Sequence, residues 1–557
     1  MKRFCFCLLT GAAAALPAHA QQAPVQNPVV PDAGRSIREL EQRPPSLPPK
    51  QSLDLDLPDA PLEQAEQGSL LVQVDGFVLE GNSAIPSAEL LPLLADLVHR
   101  RVSLAQLQAG AHRLTLRYRA RGYPLARAYL PAQQIAGGQV RIVVLEGRYG
   151  QVQVHNTSRL REAAVTVPLR TLKPGEAVHA APLERSLLSL RDLAGAQAKA
   201  TLQPGASVGA TDLVVEVQPG PLLGGTIDAD NFGNRYTGEY RLGGSLDINS
   251  PLRLGDRLSV RALGTSEDQH YYQASWQLPV GPWSTRLGLA WSRMDYELGK
   301  DFADLGGHGR ARIASVFVSQ PLLRRRDAAL YATLQYDHKN LRDDIDLYDS
   351  RSRKRSRVLT ATLHGDNRDG WLGGGANGFA LAWSHGHLDI EDAEGRALDA
   401  TTAGSAGDFN VVRPSLVRLQ RLVGRLSLYA QVQGQWSDGN LDSSEKFYLG
   451  GAYGVRAYPQ AEAAGDQGWL ASLELRQALA EAWQLSAFLD HGQVRLNKDP
   501  WDDGDNHRGL SGVGIGADWA AHGWRVGAST SWKLGSAEAE GGHARSPQIW
   551  VRAARSF

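Results

Sequence analysis

The chain has 557 residues, and its 59 Lys and Arg side chains are balanced by 59 Asp and Glu side chains. A neutral chain lacks the basic surface that nucleic-acid binding requires, so we expect no nucleic-acid partner. The two cysteines, Cys5 and Cys7, are too few for a zinc-finger or iron–sulfur site, and we expect no metal and no other cofactor. No later stretch reaches the roughly 18 apolar residues of a membrane-spanning helix, which excludes a helical membrane bundle.

Residues 1–20 have the pattern of a secretory signal peptide. Lys2 and Arg3 precede an apolar stretch from Phe4 to Leu16, and a small-residue cleavage site follows at residues 18–20. An uncleaved anchor is the alternative, but the apolar run is too short to span about 30 Å of hydrocarbon. We therefore expect an exported protein.

Residues 21–69 are rich in Gln, Pro and Ala, a composition typical of an extended linker. One part of it, about residues 36–43, can form two helical turns with Ile37 and Leu40 on one side. A helix this short is marginal alone in water. It is therefore either disordered or held by a docking surface elsewhere in the protein.

Two small α/β units follow, at residues 70–148 and 149–220. The first begins with an alternating strand from Leu71 to Leu79, continues with helices near residues 88–97 and 104–118, and ends on two strands. The second has the same order of strand, helix, helix, strand and strand. Because each unit has about 75 residues, the pattern predicts a tandem repeat of one domain.

Residues 221–557 change to stretches of about ten residues that alternate in polarity, separated by Gly, Asp, Asn and Pro, and we predict no helix there. Strands of this length are typical of transmembrane barrels, whereas soluble sandwich strands average five or six residues. We count eleven strands from Gly224 to Trp436 and five from Trp469 to Phe557. The even total of sixteen fits a closed barrel, and we interpret Phe557 as its C-terminal signal.

A connection at residues 437–468 separates the two groups of strands and is long for a structureless loop. Downstream of it, Phe488, Asp490 and Gly492 have the same parity and lie on one face of a strand. A charged residue fits a polar lumen better than a lipid face, so this face is predicted to point inward. Arg456 of the loop is then a plausible partner for Asp490; the alternative is that Arg456 is a solvated charge.

The long loop carries a run from Phe447 to Tyr458, FYLGGAYGVRAY, followed by GDQG at residues 465–468. This run resembles the lumenal loop of the outer-membrane transporters of two-partner secretion, the haemolysin and filamentous-haemagglutinin secretion proteins. The resemblance implies a transmembrane β-barrel of about 16 antiparallel strands, preceded by two small α/β POTRA domains and an N-terminal helix plus linker.

The resemblance also assigns roles to particular residues. It implies that the helix carrying Ile37 and Leu40 inserts into the barrel as a plug. The expected site has two parts, a lumenal loop motif of Gly454, Val455, Arg456, Ala457 and Tyr458, and a barrel-wall motif of Phe488, Asp490 and Gly492. Ala457 departs from the family, which usually has glycine there. Alanine is costly if the position needs a positive φ angle, and is tolerated if only a small side chain is required.

The function implied is an outer-membrane pore that binds an unfolded exoprotein through periplasmic POTRA domains and moves it to the cell surface without ATP. The expected partners are a large secreted β-helical adhesin or haemolysin, outer-membrane lipid, and the barrel-assembly machinery during biogenesis, with the chain itself a monomer. The sequence has no HExxH or GxSxG motif, so we expect no enzyme and no catalytic residue. The alternatives are a general solute porin, which has no use for two α/β units, and an outer-membrane protein assembly factor, which usually carries more of them.

Overall fold

The computed structural model describes residues 30–41, 47, 55–56, 71–540 and 545–557. The expected signal peptide and most of the expected linker lie outside these residues. The helices found in these residues are all too short or too polar to span a bilayer. The N-terminal part that is described holds helix α1 (Ala33–Glu41) and a two-residue strand β1 (Leu55–Asp56). Helix α1 begins three residues earlier than predicted.

The first α/β unit contains five short strands, one long helix and one short helix. Its elements are β2 (Leu71–Val74), β3 (Gly76–Glu80), α2 (Ser87–Leu90) extended by a 3-10 helix (Leu91–Leu97), β4 (Arg100–Ser103), α3 (Leu104–Ala120), β5 (Arg127–Tyr129) and β6 (Gln139–Leu145). Apolar side chains of α3, including Leu107 and Leu114, are buried against the sheet side of the unit. Ser103 caps α3 through a capping box with Gln106.

The prediction of a single strand from Leu71 to Leu79 is wrong in one respect, because the strand is divided at Asp75. Strand β2 pairs antiparallel with β4, whereas β3 pairs in parallel with β6. The backbone N–H groups of Asp75 and Gly76 both donate to the carbonyl of Gly138, at 2.7 and 3.3 Å. This contact turns the chain from the sheet of β2 and β4 to the sheet of β3 and β6. The hydrophobic alternation of the sequence continues across this turn and does not reveal it.

The second α/β unit has the predicted order of strand, helix, helix, strand and strand, without the strand that lies between the two helices of the first unit. It consists of β7 (Arg148–Asn156), α4 (Glu162–Thr166) extended by a 3-10 helix (Val167–Leu169), α5 (Ala180–Arg191), β8 (Ala196–Pro204) and β9 (Ala210–Pro219). Its sheet has the order β1-β8-β9-β7. The linker strand β1 thus adds in parallel to the edge of β8, with Leu55 opposite Ala200.

Sixteen antiparallel strands then close into a barrel. The strands before the long loop, with one helix between two of them, are β10 (Leu223–Asp230), β11 (Arg241–Asn249), β12 (Arg257–Thr265), β13 (His270–Val280), β14 (Thr285–Glu297), β15 (Gly307–Arg324), β16 (Ala328–Ile345), β17 (Ser350–Asp369), β18 (Gly375–Ile390), α6 (Ala393–Thr401), β19 (Gly407–Arg421) and β20 (Leu426–Ser437). The loop contains β21 (Phe447–Tyr448) and β22 (Ala464–Gly465), and the barrel continues with β23 (Gln467–Ala478), β24 (Trp483–Arg495), β25 (His507–Ala521), β26 (Trp524–Lys533) and β27 (Gln548–Ser556). The predicted division into eleven strands and five is confirmed.

The barrel closes where the last strand β27 pairs with the first strand β10. The backbone N–H of Phe557 donates to the carbonyl of Gly225 at 3.1 Å. A Cβ atom at Gly225 would lie 2.5 Å from the Phe557 ring, so the glycine leaves room for the ring at the seam. The terminal aromatic residue therefore covers the point of closure.

Outward and inward positions alternate along each barrel strand as predicted. On β14, Leu287, Leu289 and Trp291 are 45%, 55% and 45% exposed on the outer face, whereas Ser292 and Met294 are buried on the inner face. Strands β15 to β18 have 16 to 20 residues, compared with 8 or 9 in β10 to β12. The wall is therefore taller on the side of β15 to β18.

The prediction that residues 221–557 contain no helix is wrong, because α6 lies in the connection between β18 and β19. The side chain of Asp392 caps it by accepting from the Gly395 N–H at 2.6 Å. At its other end, Asp399 accepts from the Ser405 N–H at 2.9 Å. None of its residues is buried, so the helix has no apolar stripe and its local caps were the only signal in the sequence.

Candidate functional site: the occupied lumen of the barrel

The loop between β20 and β23 folds back into the barrel, and its tip is held by Arg456. The Arg456 guanidinium donates to both oxygens of Asp490 on β24, through Nε and Nη2, each at 2.8 Å. The backbone N–H of Arg456 donates to the same carboxylate at 3.1 Å. Asp490 is fully buried. The structure thus brings together the two residues that the sequence analysis paired, in a bidentate geometry.

Two further partners of Arg456 were missed by the sequence analysis. Glu474 on β23 accepts from Nη1 at 2.9 Å, and Ser472 accepts from Nη2 at 3.2 Å while donating to Asp490 at 2.6 Å. Ser472 lies directly opposite Asp490, and Glu474 opposite Phe488. The same parity on β23 predicts both residues, because Ser472 and Glu474 alternate with the outward-facing Leu473 and Leu475.

The other two residues of the barrel-wall motif also contact the loop. The ring of Phe488 lies under the Arg456 guanidinium, with 3.3 Å between Cζ and the ring centroid. A Cβ atom at Gly492 would lie 2.6 Å from a methyl group of Leu449 in the loop. Glycine at this position therefore lets the loop approach the wall.

The remaining residues of the loop motif are packed into the lumen. Val455 and Tyr458 are fully buried, and the Tyr458 hydroxyl donates to the carbonyl of Ala537 at 3.0 Å. The backbone N–H groups of Gly454 and Val455 donate to the carbonyls of Gly451 and Leu449, which makes a tight turn just before Arg456.

Ala457 does not adopt a positive φ angle. Of the two requirements considered for this position, a positive φ angle or a small side chain, only the small side chain therefore applies. Ala457 is 1% exposed. A Cβ atom built on Gly512 of β25 would lie 2.5 Å from its methyl group. The loop and the wall thus share one small space, which is filled by Ala457 and left open by Gly512.

The base of the loop is held by a second group of charges, on strands β16, β17 and β19. Glu445 accepts from Lys339 of β16 at 2.6 Å and from Arg413 of β19 at 2.8 Å. Asp442 accepts from Lys354 of β17 at 2.6 Å. The loop is therefore anchored at two parts of the wall, with Arg456 bound to β23 and β24 and these two carboxylates bound to β16, β17 and β19. This second anchor was not predicted from the sequence.

Helix α1 lies inside the barrel next to the loop. Ile37 is 2% exposed and packs in a cluster with lumenal side chains of the barrel wall, and Leu40 packs at its margin. The backbone N–H of Ala33 donates to Asp343 of β16 at 2.7 Å. The Arg35 guanidinium donates to the carbonyl of Ala461 in the loop at 2.9 Å. The helix thus contacts both the wall and the loop.

The lumen around these two segments keeps polar cavities. One has a volume of about 510 Å³ and is lined by residues that include Arg38, Glu41 and Gln335. Another, of about 430 Å³, lies beside Arg456, Tyr453 and other charged and aromatic side chains. The interior is therefore partly filled and polar, as expected for the inside of a transmembrane barrel.

The first α/β unit holds a buried carboxylate, Glu146, that ties its elements together. It accepts from the Ala84 N–H and the Ser83 hydroxyl at 2.6 Å, the Tyr118 hydroxyl at 3.0 Å and Arg148 at 2.8 Å. Burial alone would raise the pKa of Glu146, but these hydrogen bonds outweigh it, and the pKa lies below its usual range. Glu146 is therefore an anion that joins α3 to the start of the second unit.

A closed sixteen-stranded barrel, entered from tandem POTRA domains and filled by a helix and an arginine-bearing loop, defines an outer-membrane secretion transporter. Residues 209–519 match the sequence model of the haemolysin secretion/activation protein family ShlB/FhaC/HecB. Residues 72–147 match that of the ShlB-type POTRA domain. The chain belongs to the haemolysin secretion/activation protein family. It is a two-partner secretion transporter of the outer membrane, with its POTRA domains in the periplasm.

Known relatives agree with this placement. The chain is 27% identical over 481 residues to the heme/hemopexin transporter protein HuxB of Haemophilus influenzae, covering 84% of each chain. It is 26% identical over 465 residues to the outer membrane transporter CdiB of Dickeya dadantii, covering 78% of this chain and 79% of the relative. The solved structure of CdiB from Escherichia coli has the same fold, with a TM-score of 0.72 at 20% identity, covering 94% of this chain and 96% of that one.

Proposed function

We propose that this chain exports one unfolded partner exoprotein, and that the lumenal loop and helix α1 keep the pore closed between transport events. The observation that carries this proposal is the bidentate contact between Arg456 and the buried Asp490. Because a desolvated ion pair leaves an uncompensated charge when one partner is removed, the contact is suited to fixing the loop in one position. We further propose that helix α1, held through Ile37 and Leu40, acts as a plug that must leave for the exoprotein to pass.

The POTRA domains are proposed to receive the exoprotein by strand addition. Extended peptides bind exposed sheet edges through backbone hydrogen bonds, with little dependence on side-chain sequence. The linker strand β1 already occupies one edge of β8 in this way. The same sheet ends on β7 at its other edge, which offers a second strand for an incoming chain. No nucleotide-binding motif is present in the sequence, so folding of the exoprotein outside the cell is the proposed driving force.

We propose domain boundaries at residues 70–148 and 149–220 for the POTRA domains and 221–557 for the barrel. The finer expectations on partners also belong here: a β-helical adhesin or haemolysin as exoprotein, contact with outer-membrane lipid, insertion by the barrel-assembly machinery, and action as a monomer. Phe557 at the seam is the proposed signal for insertion. The family is a secretion family, and we assign a catalytic role to no residue.

Secretion of a co-expressed candidate exoprotein into the medium tests the proposal. We expect Arg456→Ala and Asp490→Ala to reduce secretion at least tenfold, while heat-modifiable gel mobility shows a folded barrel. Arg425→Ala at a periplasmic turn is the matched control and should secrete as wild type does. If wild type secretes no exoprotein but admits small solutes readily, the chain acts as a porin and the proposal fails.

A further inference from the structure

The outer face of the barrel carries a group of arginines that the secretion mechanism does not use. They lie in the extracellular halves of strands β14 to β17 and have the same parity as the lipid-facing residues Leu289, Val316, Leu334 and Leu359. We call them the arginine band, and its members are Arg293, Arg310, Arg312, Arg342, Arg351, Arg353, Arg355 and Arg357.

The arginine band begins where the aromatic margin of the lipid-facing surface ends. Trp291, Tyr336 and Trp383 are 45%, 41% and 45% exposed on this side of the barrel, and aromatic side chains mark the membrane interface of outer-membrane barrels. Arg293 follows Trp291 by two residues, which is about 7 Å along the strand. The band therefore lies at the level of the lipid headgroups of the outer leaflet, on the side where the wall is tallest.

The strand register places several of these arginines directly opposite one another. Arg293 pairs with Arg312, and Arg342 lies between Arg310 and Arg353. Like charges in directly opposed positions are unfavourable unless an anion neutralises them.

Acidic neighbours neutralise only part of the band. Asp295 binds Arg293 and Arg310, and Asp344 binds Arg342. On β17, Arg351, Arg355 and Arg357 are bound by Asp349, Glu391 and Asp389. Among the described residues, Arg312 and Arg353 have no ion-pair partner, and both are exposed. The opposite wall differs, because its outward positions near the extracellular side include Trp436, Trp469, His491 and Trp532. The unneutralised charge is thus confined to one side of the barrel.

A groove runs along the outer surface at one end of the band. It has a volume of about 1010 Å³ and is lined by Arg293, Arg310 and Arg342, by Tyr272 and Trp291, and by the carboxylates of Asp268, Asp295, Glu297 and Asp344. Because Asp295 and Asp344 already bind these three arginines, the groove offers its aromatic rings to the start of an acyl chain. The charge left for a headgroup is that of Arg312 and Arg353.

We propose that the arginine band is a binding site for the phosphate groups of a phosphorylated glycolipid in the outer leaflet of the outer membrane. The planar guanidinium group binds phosphate through two parallel hydrogen bonds, and clustered basic residues beside a membrane surface recognise anionic headgroups. The bound lipid supplies the anion that the opposed arginines require, and it fixes the height of the tall wall in the membrane. The proposal rests on the outer-membrane location and is independent of which exoprotein is exported.

The test is binding of purified lipopolysaccharide to the detergent-solubilised full chain, read as the rise in its thermal unfolding midpoint. We expect phosphorylated lipopolysaccharide to raise the midpoint, and its phosphatase-treated form and inorganic phosphate to have little effect. Arg312→Gln combined with Arg353→Gln should weaken half-saturation at least tenfold. The matched control is Arg325→Gln with Arg421→Gln, two exposed arginines at periplasmic turns, and it should bind as wild type does.

Several results would overturn the proposal. Equal stabilisation by the dephosphorylated lipid, or by inorganic phosphate, would remove the phosphorylated headgroup as the ligand. Unchanged lipid binding by Arg312→Gln with Arg353→Gln would show that the arginine band is not the binding site. If secretion also fell in that variant, the band would instead belong to the path of the emerging exoprotein. Arg312→Lys with Arg353→Lys guards against misfolding, because it keeps the charge and should retain more binding than the glutamine pair. Whether Arg456→Ala loses or keeps secretion does not affect the interpretation of these lipid-binding measurements.

Discussion

The hydroxyl group of Ser443 in the lumenal loop lies 2.8 and 2.7 Å from the two carboxylate oxygens of Asp32, the residue that precedes helix α1. Asp32 also accepts from the Arg35 N–H at 2.7 Å and so caps the helix. A single carboxylate therefore serves both the helix and the loop. The two segments that fill the lumen are coupled where they meet, in addition to their separate contacts with the wall.

We expect Ser443→Ala to loosen the plug without unfolding α1, because it removes the contact with the loop and leaves the cap in place. Asp32→Ala should have the larger effect, since it also removes the cap, which costs about 0.5–2 kcal/mol. The measurement is the frequency of open-pore currents of the purified chain in planar lipid bilayers. Currents from Ser443→Ala that match those of wild type would show that the two segments move independently.

The close approach of Ala457 and Gly512 predicts a compensating pair. Gly512→Ala alone should destabilise the loop, because its Cβ atom would lie 2.5 Å from the Ala457 methyl group, and overpacking of this kind typically costs about 1–3 kcal/mol. Ala457→Gly alone should be mild. The double variant should recover most of the loss, measured as the temperature at which the folded gel form disappears. A double variant as unstable as Gly512→Ala would contradict this account.

Ile37→Ala should weaken docking of the plug helix. Truncating a buried isoleucine costs about 2–5 kcal/mol where the surroundings cannot collapse, and Ile37 is 2% exposed within its cluster. We expect uptake of a small antibiotic through the outer membrane to increase several-fold. Glu41→Ala, an exposed position on the same helix, is the control, and equal uptake by both variants would argue that Ile37 does not hold the plug.

Glu146→Gln should destabilise the first POTRA domain by about 1–3 kcal/mol at neutral pH, the usual cost of losing hydrogen bonds to a buried charged group. Since the folded pKa of Glu146 is depressed, its contribution is fully present above the unfolded pKa of about 4.3 and is lost as pH falls through the lower folded value. The difference between variant and wild type should therefore shrink in acid.

Hydrogen exchange of α3 in the full chain, followed between pH 7 and pH 3, measures this difference. Glu162→Gln, in the exposed first turn of α4, is the control and should behave as wild type at each pH. A gap between Glu146→Gln and wild type that stays constant across the range would rule out the buried anion as its cause.

Features that depend on local periodicity were predictable from the sequence. The alternation along strands such as Leu287–Trp291 gave both the barrel and its count of strands, because each strand faces lipid on one side and the polar lumen on the other. The parity of Phe488, Asp490 and Gly492 placed Asp490 in the lumen for the same reason. Helix α6 was missed because its exposed surface produces no apolar period, and the break at Asp75 was missed because alternation continues across it.

The periodicity of the sequence therefore predicted the type of each wall and the direction in which its side chains point. The polar contacts inside the barrel could be seen only in the folded chain. Lys339 binds Glu445 and Ser443 binds Asp32, although the partners lie 106 and 411 residues apart in the chain. A barrel wall repeats the same polar and apolar alternation on every strand, so the pattern carries no information about which inward residue faces which. Those contacts form only when the strands close into the barrel and the loop and helix α1 pack into its lumen.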